Sequence, residues 1–257
     1  MTSKSLWLSK FTSTNDISEI RLAIEHFRAF VEKEAVGAER EEAALLHDAA
    51  RRLEGYRDVN ICLASFCEER DLLSQWRSYG NDGRGVALGF SATNLQALAK
   101  RYKLNLYRCV YDPRDQERIA SDLVAMLLKA FRTRKPGRSP NRDALLTQFH
   151  SLFLHVAPVI KDHRFGEERE WRLVSQSLAL DHPAMIAVLK GNRASVKYVV
   201  NLTNGANNHS DVISRVTIGP TLDPYNVSDA IQLLALRQGF SVGEVEISGI
   251  PFRLLPE

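Results

Sequence analysis

The chain has 257 residues, 44% hydrophobic and 25% charged, with a formal net charge of +3. That length carries a sizeable core, and so small a net charge does not by itself mark a nucleic-acid binder. No run reaches the roughly eighteen apolar residues of a membrane span, and Met1 to Leu8 lacks the long apolar core of a signal peptide.

In chain order, Leu6, Trp7 and Leu8 suit a short strand, and Phe11 to Asp16 a turn. Asp16 and Glu19 have the spacing of a capping box. Ile20, Ile24, Phe27 and Val31 mark the inner side of a helix ending near Gly37. A second helix is expected from about Ala38 to Gly55, with Leu45, Leu46, Ala49 and Leu53 inside and His47, like His26, on the surface. The stretch 61–90 reads as strand, short helix, tight turn, strand. Val59, Ile61 and Leu63 alternate. Leu72, Trp76 and Tyr79 share one helix face, Gly80 is placed for a left-handed cap, and Asn81-Asp82-Gly83 tolerates positive φ. Val86, Leu88 and Phe90 alternate again. Three polar residues stand out in this core-like segment. Asp71 suits a helix N-cap; Ser65 and Arg84 have no such role.

Ser91 and Thr93 suit the cap of a helix through Tyr102, followed by a strand to Val110. Pro113 opens a helix to about Phe131 with Ile119, Leu123, Met126 and Leu127 on its inner face. Residues 132–142 combine Arg132, Arg134, Lys135, Arg138 and Arg142 with Pro136, Gly137 and Pro140, so they are not helical throughout. This basic loop reads as a solvated connector or as a phosphate-binding loop for a nucleotide or nucleic acid. It carries no aromatic for base stacking. A long helix is expected from Asp143 to Lys161, bent at Pro158. His150, His155 and His163 lack the i, i+4 spacing of paired zinc ligands, and no metal site is read. Later strands fall near 186–189, 196–202, 212–218 and 244–247, with a helix from Asp223 to Arg237 stopped by Gly239. The irregular mixing of helices and strands predicts a single α+β domain over 1–257 with a mixed sheet. Cys62, Cys67 and Cys109 suit no zinc site. Cys62 and Cys109 lie in apolar runs and read as buried thiols, so a cytoplasmic location is expected.

The most polar predicted strand is Glu167–Val174. As a strand it places Glu168, Glu170 and Arg172 on one face, and Arg169, Trp171 and Leu173 on the other. Two carboxylates and a guanidinium in a row form either a solvated edge or the wall of a polar cleft.

Several of these stretches, taken in order, resemble a bacterial family of domains of unknown function often found near phage-resistance genes. They are Ser13-Thr14-Asn15-Asp16, Ser65-Phe66 with Asp71, Trp76, Tyr79, Gly85, Gly89 and Phe90, then Lys161 through Glu168-Arg169-Glu170-Trp171-Arg172, Ile218-Gly219-Pro220, and Ser248 to Arg253. Members of that family begin with an aromatic-rich strand and a helix before the Asn-Asp turn; this chain starts near that turn, so either its start is placed late or this member has lost its first element.

The layout also resembles that of ADP-ribosyltransferases: an early strand, an Asn-Asp turn, a serine-ended strand and a late glutamate strand. That resemblance implies NAD as substrate, no metal, and a protein or nucleic-acid acceptor. Glu168-Arg169-Glu170 matches the Glu-x-Glu spacing of the arginine-type members. By the resemblance, Glu170 stabilises an oxocarbenium ion and Glu168 orients or deprotonates the acceptor. Ser65 supports the cleft, and Arg172 pairs with Glu170 or contacts the NAD phosphates. Trp76, Tyr79 and Arg84 join the NAD-binding set, although the helical spacing of Trp76 and Tyr79 also suits packing. The group that grips nicotinamide falls in the missing first element. Other readings are a structural charge ladder at Glu168–Arg172, a non-catalytic nucleotide- or protein-binding sensor, and an RNA-processing enzyme using the basic loop. The last lacks a paired-carboxylate metal motif.

Overall fold

The computed structural model describes residues 4–13, 17–133, 141–191, 193–202, 213–220, 223–239 and 242–251. In chain order its elements are β1 (Ser5–Lys10), α1 (Ile17–Val36), α2 (Arg40–Arg52), β2 (Cys62–Cys67), α3 (Leu73–Ser78), β3 (Val86–Phe90), α4 (Ala92–Tyr102), β4 (Asn105–Arg108), α5 (Pro113–Arg132), α6 (Arg142–Val156), β5 (Glu170–Val174), β6 (Met185–Lys190), β7 (Arg193–Asn201), β8 (Ile213–Ile218), α7 (Pro224–Gln238) and β9 (Glu244–Ile247). The α+β class is as expected, but the strands form two sheets rather than one: β4-β5-β2-β1-β7-β6 and β3-β8-β9. The chain divides into two compact units, one of Leu8–Phe66 and Tyr107–Tyr198, the other of Met1–Trp7, Cys67–Leu106 and Val199–Glu257.

The larger unit owes its core to four amphipathic helices. Ile20, Phe27 and Val31 of α1, Leu45 and Leu46 of α2, Leu123 and Leu127 of α5, and Phe149 and Phe153 of α6 are all buried in one cluster. Each such side chain contributes about 1.5–3 kcal/mol on burial. Phe27 and Phe153 meet edge to face at 5.0 Å. Pro113 stands at the start of α5, where Asp112 accepts from Arg114 N. The inner stripe of α5 is Gln116, Ala120, Leu123, Val124, Leu127 and Phe131. Met126, expected inside, is 52% exposed, because it lies one position round the helix from that stripe.

The two ends of the basic segment are paired to α2, Arg132 to Glu42 at 2.6 and 2.7 Å and Arg142 to Asp48. Residues 134–140 lie outside the described residues, as do Thr14-Asn15-Asp16 and Phe252-Arg253. Helix α6 stops at Val156, short of the predicted Lys161, and gives way to a 3-10 turn over Ala157–Val159. Pro158 has no N–H to continue the ladder. The chain then runs extended, with Ile160 bridged to Val110 in parallel.

Within the larger unit β1 and β2 are antiparallel, Ser9 opposite Leu63, and β6 and β7 likewise. Cys62 and Cys109 are free and buried, and burial pushes the Cys62 thiol up to about 11. In the smaller unit β8 is antiparallel to β3 and parallel to β9. Ser91 caps α4 through Asn94 N at 3.1 Å, and Gly239, at φ 61°, closes α7.

Three expectations about α3 are corrected. Tyr79 lies past the helix end and is 67% exposed, whereas Trp76 is buried. Gly80 does not adopt a left-handed cap; positive φ falls on Asn81, Asp82 and Gly83. Gly80 is required for space instead, since a Cβ there would stand 2.6 Å from the Trp76 ring. Asp71 is not the N-cap, a place taken by Leu72. Its carboxylate accepts from Trp76 Nε1 at 2.7 Å, Ser248 Oγ at 2.7 Å and Gly249 N at 2.8 Å, joining α3 to the segment after β9. Among the described residues no helix is long and apolar enough to cross a membrane.

Candidate functional site

The extended run after Pro158 brings Lys161 against the segment that follows β4. Lys161 N donates to Val110 O at 3.1 Å. The Gln116 carboxamide, at the first turn of α5 and 2% exposed, donates to the carbonyls of Val110 (2.8 Å) and Lys161 (2.9 Å). Asp162 then caps a short 3-10 turn, His163–Glu168, by accepting from Arg164 N at 2.9 Å. Arg169, left-handed at φ 42°, turns the chain into β5. Glu168 is therefore not on the strand, contrary to the alternation read from the sequence. The turn interrupts the period of two, and the two carboxylates meet through a cation: Lys161 Nζ bonds both Glu168 and Glu170.

Glu170 is 5% exposed and fully engaged. Its N–H donates to the Tyr111 hydroxyl at 2.9 Å, and its carbonyl accepts from Cys109 N at 2.8 Å. Its carboxylate accepts from Arg172 Nε at 2.7 Å and Nη2 at 3.1 Å, the forked pairing of guanidinium and carboxylate. It accepts further from Lys161 and from the hydroxyl of Ser65. Arg172 also donates to Pro158 O. Ser65 belongs to β2, the neighbour of β5 in the sheet, and is exposed.

Two cations and two carboxylates compensate one another here, which is what permits their burial. Burial alone would raise the Glu170 carboxyl, but the hydrogen bonds and charge of Arg172, then Lys161 and Ser65, outweigh it and hold the group below its ordinary value. Glu170 is an anion at neutral pH, suited to stabilising positive charge and not to donating a proton. Burial pushes the neighbouring Tyr111 up to about 12, so its hydroxyl stays protonated.

A depressed carboxyl contributes stability that is fully present above its unfolded value, about 4.3 for glutamate, and is lost as pH falls through the folded value. Asp71, held low by Trp76, Ser248 and Gly249 against the opposing effect of burial, acts in the same direction. Urea midpoints measured between about pH 7 and pH 3 are expected to stay level and then fall below about pH 4, with a shallower fall in Glu170→Gln.

Of the residues singled out from sequence, Ser65, Glu168, Glu170 and Arg172 come together in the larger unit. Trp76, Tyr79 and Arg84 belong to the smaller one. There Trp76 is buried with its indole on Asp71, while Tyr79 and Arg84 are exposed, Arg84 following the left-handed run 81–83. The sequence reading assigned no role to Lys161, Tyr111 or Gln116. For Lys161 the signal was Pro158, which marks where the helix had to end. Among the described residues no group of three or more His, Cys, Asp or Glu is placed to hold a metal ion.

No curated protein and no solved structure matches the chain. Its residues 75–173, which include Trp76, Lys161, Glu168, Glu170 and Arg172 but not Ser65, match the model of a family described as protein of unknown function (DUF2971).

Proposed function

We propose that the chain is an NAD-consuming, ADP-ribosyltransferase-like protein in which Glu170 is the working carboxylate. The observation that carries this reading is that the exposed Ser65 of β2, the strand beside β5, helps to hold the buried Glu170 ionised. It joins the two residues that the resemblance to ADP-ribosyltransferases assigned to one cleft.

The chemistry suits a fixed anion. The bond between ribose C1′ and the nicotinamide nitrogen breaks, and its electron pair leaves with nicotinamide. Positive charge develops on the sugar ring, and a preorganised carboxylate stabilises it more than it stabilises the ground state. Water or an acceptor side chain then adds to C1′ and loses a proton. Glu168, half-buried and joined to Glu170 through Lys161, is the base for that proton. Arg172 keeps Glu170 charged and in place. Ser65 and Arg172, in the same unit as Glu170, enter the proposal as NAD-binding residues tested by single substitution. Anti-phage defence is the proposed setting.

A second reading has an observation of its own. Both Glu170 oxygens are already engaged by Arg172 and Lys161, as in a purely structural ion cluster. A non-catalytic nucleotide-binding module would need nothing more from it. The two readings separate on incubating the whole chain with NAD: the enzyme releases nicotinamide, whereas the binding module is stabilised against heat by NAD with no release.

A further inference from the structure

We propose that Lys161 is the positioning residue of this site, its ammonium set between Glu168 and Glu170 so that two carboxylates stand together beside Ser65. The inference rests on the reading of Glu170 as the working carboxylate. Carboxylates sharing a site repel, and without a cation between them one takes up a proton. Glu170 and Glu168 come from different local structures, the start of β5 and the end of a 3-10 turn, so strand geometry does not hold them together. Lys161 does, by donating to both.

The lysine is built in from three sides. Its main chain is fixed by Val110 through N and by Gln116 through O. Its ammonium lies 5.2 Å from the centre of the Phe165 ring, over its face, a third partner for a group that has left water. Its side chain is 5% exposed. A compact ammonium fits between two single oxygens, whereas a planar guanidinium is shaped for both oxygens of one carboxylate, the part Arg172 plays. The charged and titratable groups facing Glu170 are Arg172 on its own strand, Lys161 and Glu168 from the preceding segment, and Tyr111 from the segment after β4, with Ser65 from β2.

The test is a carboxyl titration by NMR on the whole chain carrying ¹³C-glutamate, with Glu168→Gln and Glu170→Gln to identify the signals. In Lys161→Met, which keeps the length and removes the charge, the Glu170 midpoint is expected to rise by about one pH unit or more. Lys161→Arg, which keeps the charge in a less suitable shape, is expected to reverse part of that rise. The acid limb of nicotinamide release should move upward with the Glu170 midpoint, so that activity falls more at low pH than at high pH. An unchanged Glu170 midpoint in Lys161→Met overturns the inference. If that variant does not fold, the ¹⁵Nζ signal of Lys161 in the unsubstituted chain decides: movement in step with the Glu170 titration supports the assignment, and independence from it overturns it. A shifted Glu170 midpoint in a chain that releases no nicotinamide keeps the role of Lys161 and overturns the NAD reading alone.

Discussion

Glu170→Ala is expected to lower the free energy of unfolding by about 3–5 kcal/mol, the cost of removing one partner from a buried ion pair. Two cations, Lys161 and Arg172, are 4% and 2% exposed and would lose the carboxylate that both bond. The Tyr111 hydroxyl and Cys109 N would keep their bonds to the Glu170 main chain, so the loss isolates the side chain. Arg172→Met should cost a comparable amount for the converse reason, leaving Glu170 less compensated and Pro158 O without its donor. Ser65→Ala, at an exposed position, should cost under about 1 kcal/mol. Urea denaturation of the three variants checks the ranking. A loss below about 1 kcal/mol at Glu170 would mean that the cluster is hydrated and not buried as described.

The second large effect is expected at Asp71. Asp71→Ala should destabilise the smaller unit by about 3 kcal/mol, the upper end for a hydrogen bond to a charged group. It removes the acceptor for the indole of a buried tryptophan, a serine hydroxyl and a main-chain N–H at once. Asp71→Asn keeps one acceptor oxygen and should lose less. Ser248→Ala removes only one of the donors and should cost about 1 kcal/mol. Denaturant midpoints followed by circular dichroism test the order Ala, Asn, Ser248→Ala.

Local pattern carried most of the helices. The apolar spacing of α1 and α2, Pro113 at the start of α5, Ser91 before α4 and Gly239 after α7 each act over a few residues, and each is visible in the sequence. Asp71 was misread because its partners, Ser248 and Gly249, are far along the chain, while the local pattern offered a helix cap. Glu168 was misread because a left-handed arginine leaves no trace in a period-two pattern, so the strand was extended through it. Lys161 went unassigned because the apolar face of α6 continues to Ile160 while its hydrogen-bond ladder ends at Val156. Arg172 and Glu170 were placed on one face correctly, since two residues of one strand need only the pleat. The link from Ser65 to Glu170 depends on β2 lying beside β5, a non-local pairing that the sequence reached only through resemblance.

The most direct measurement of the central claim is nicotinamide release from NAD by the whole chain, beside Glu170→Gln shown by circular dichroism to be folded at the assay temperature. Release by the unsubstituted chain, reduced by about 10²–10³ in the variant, is the result expected if Glu170 stabilises the developing charge. Equal, background release from both would contradict it.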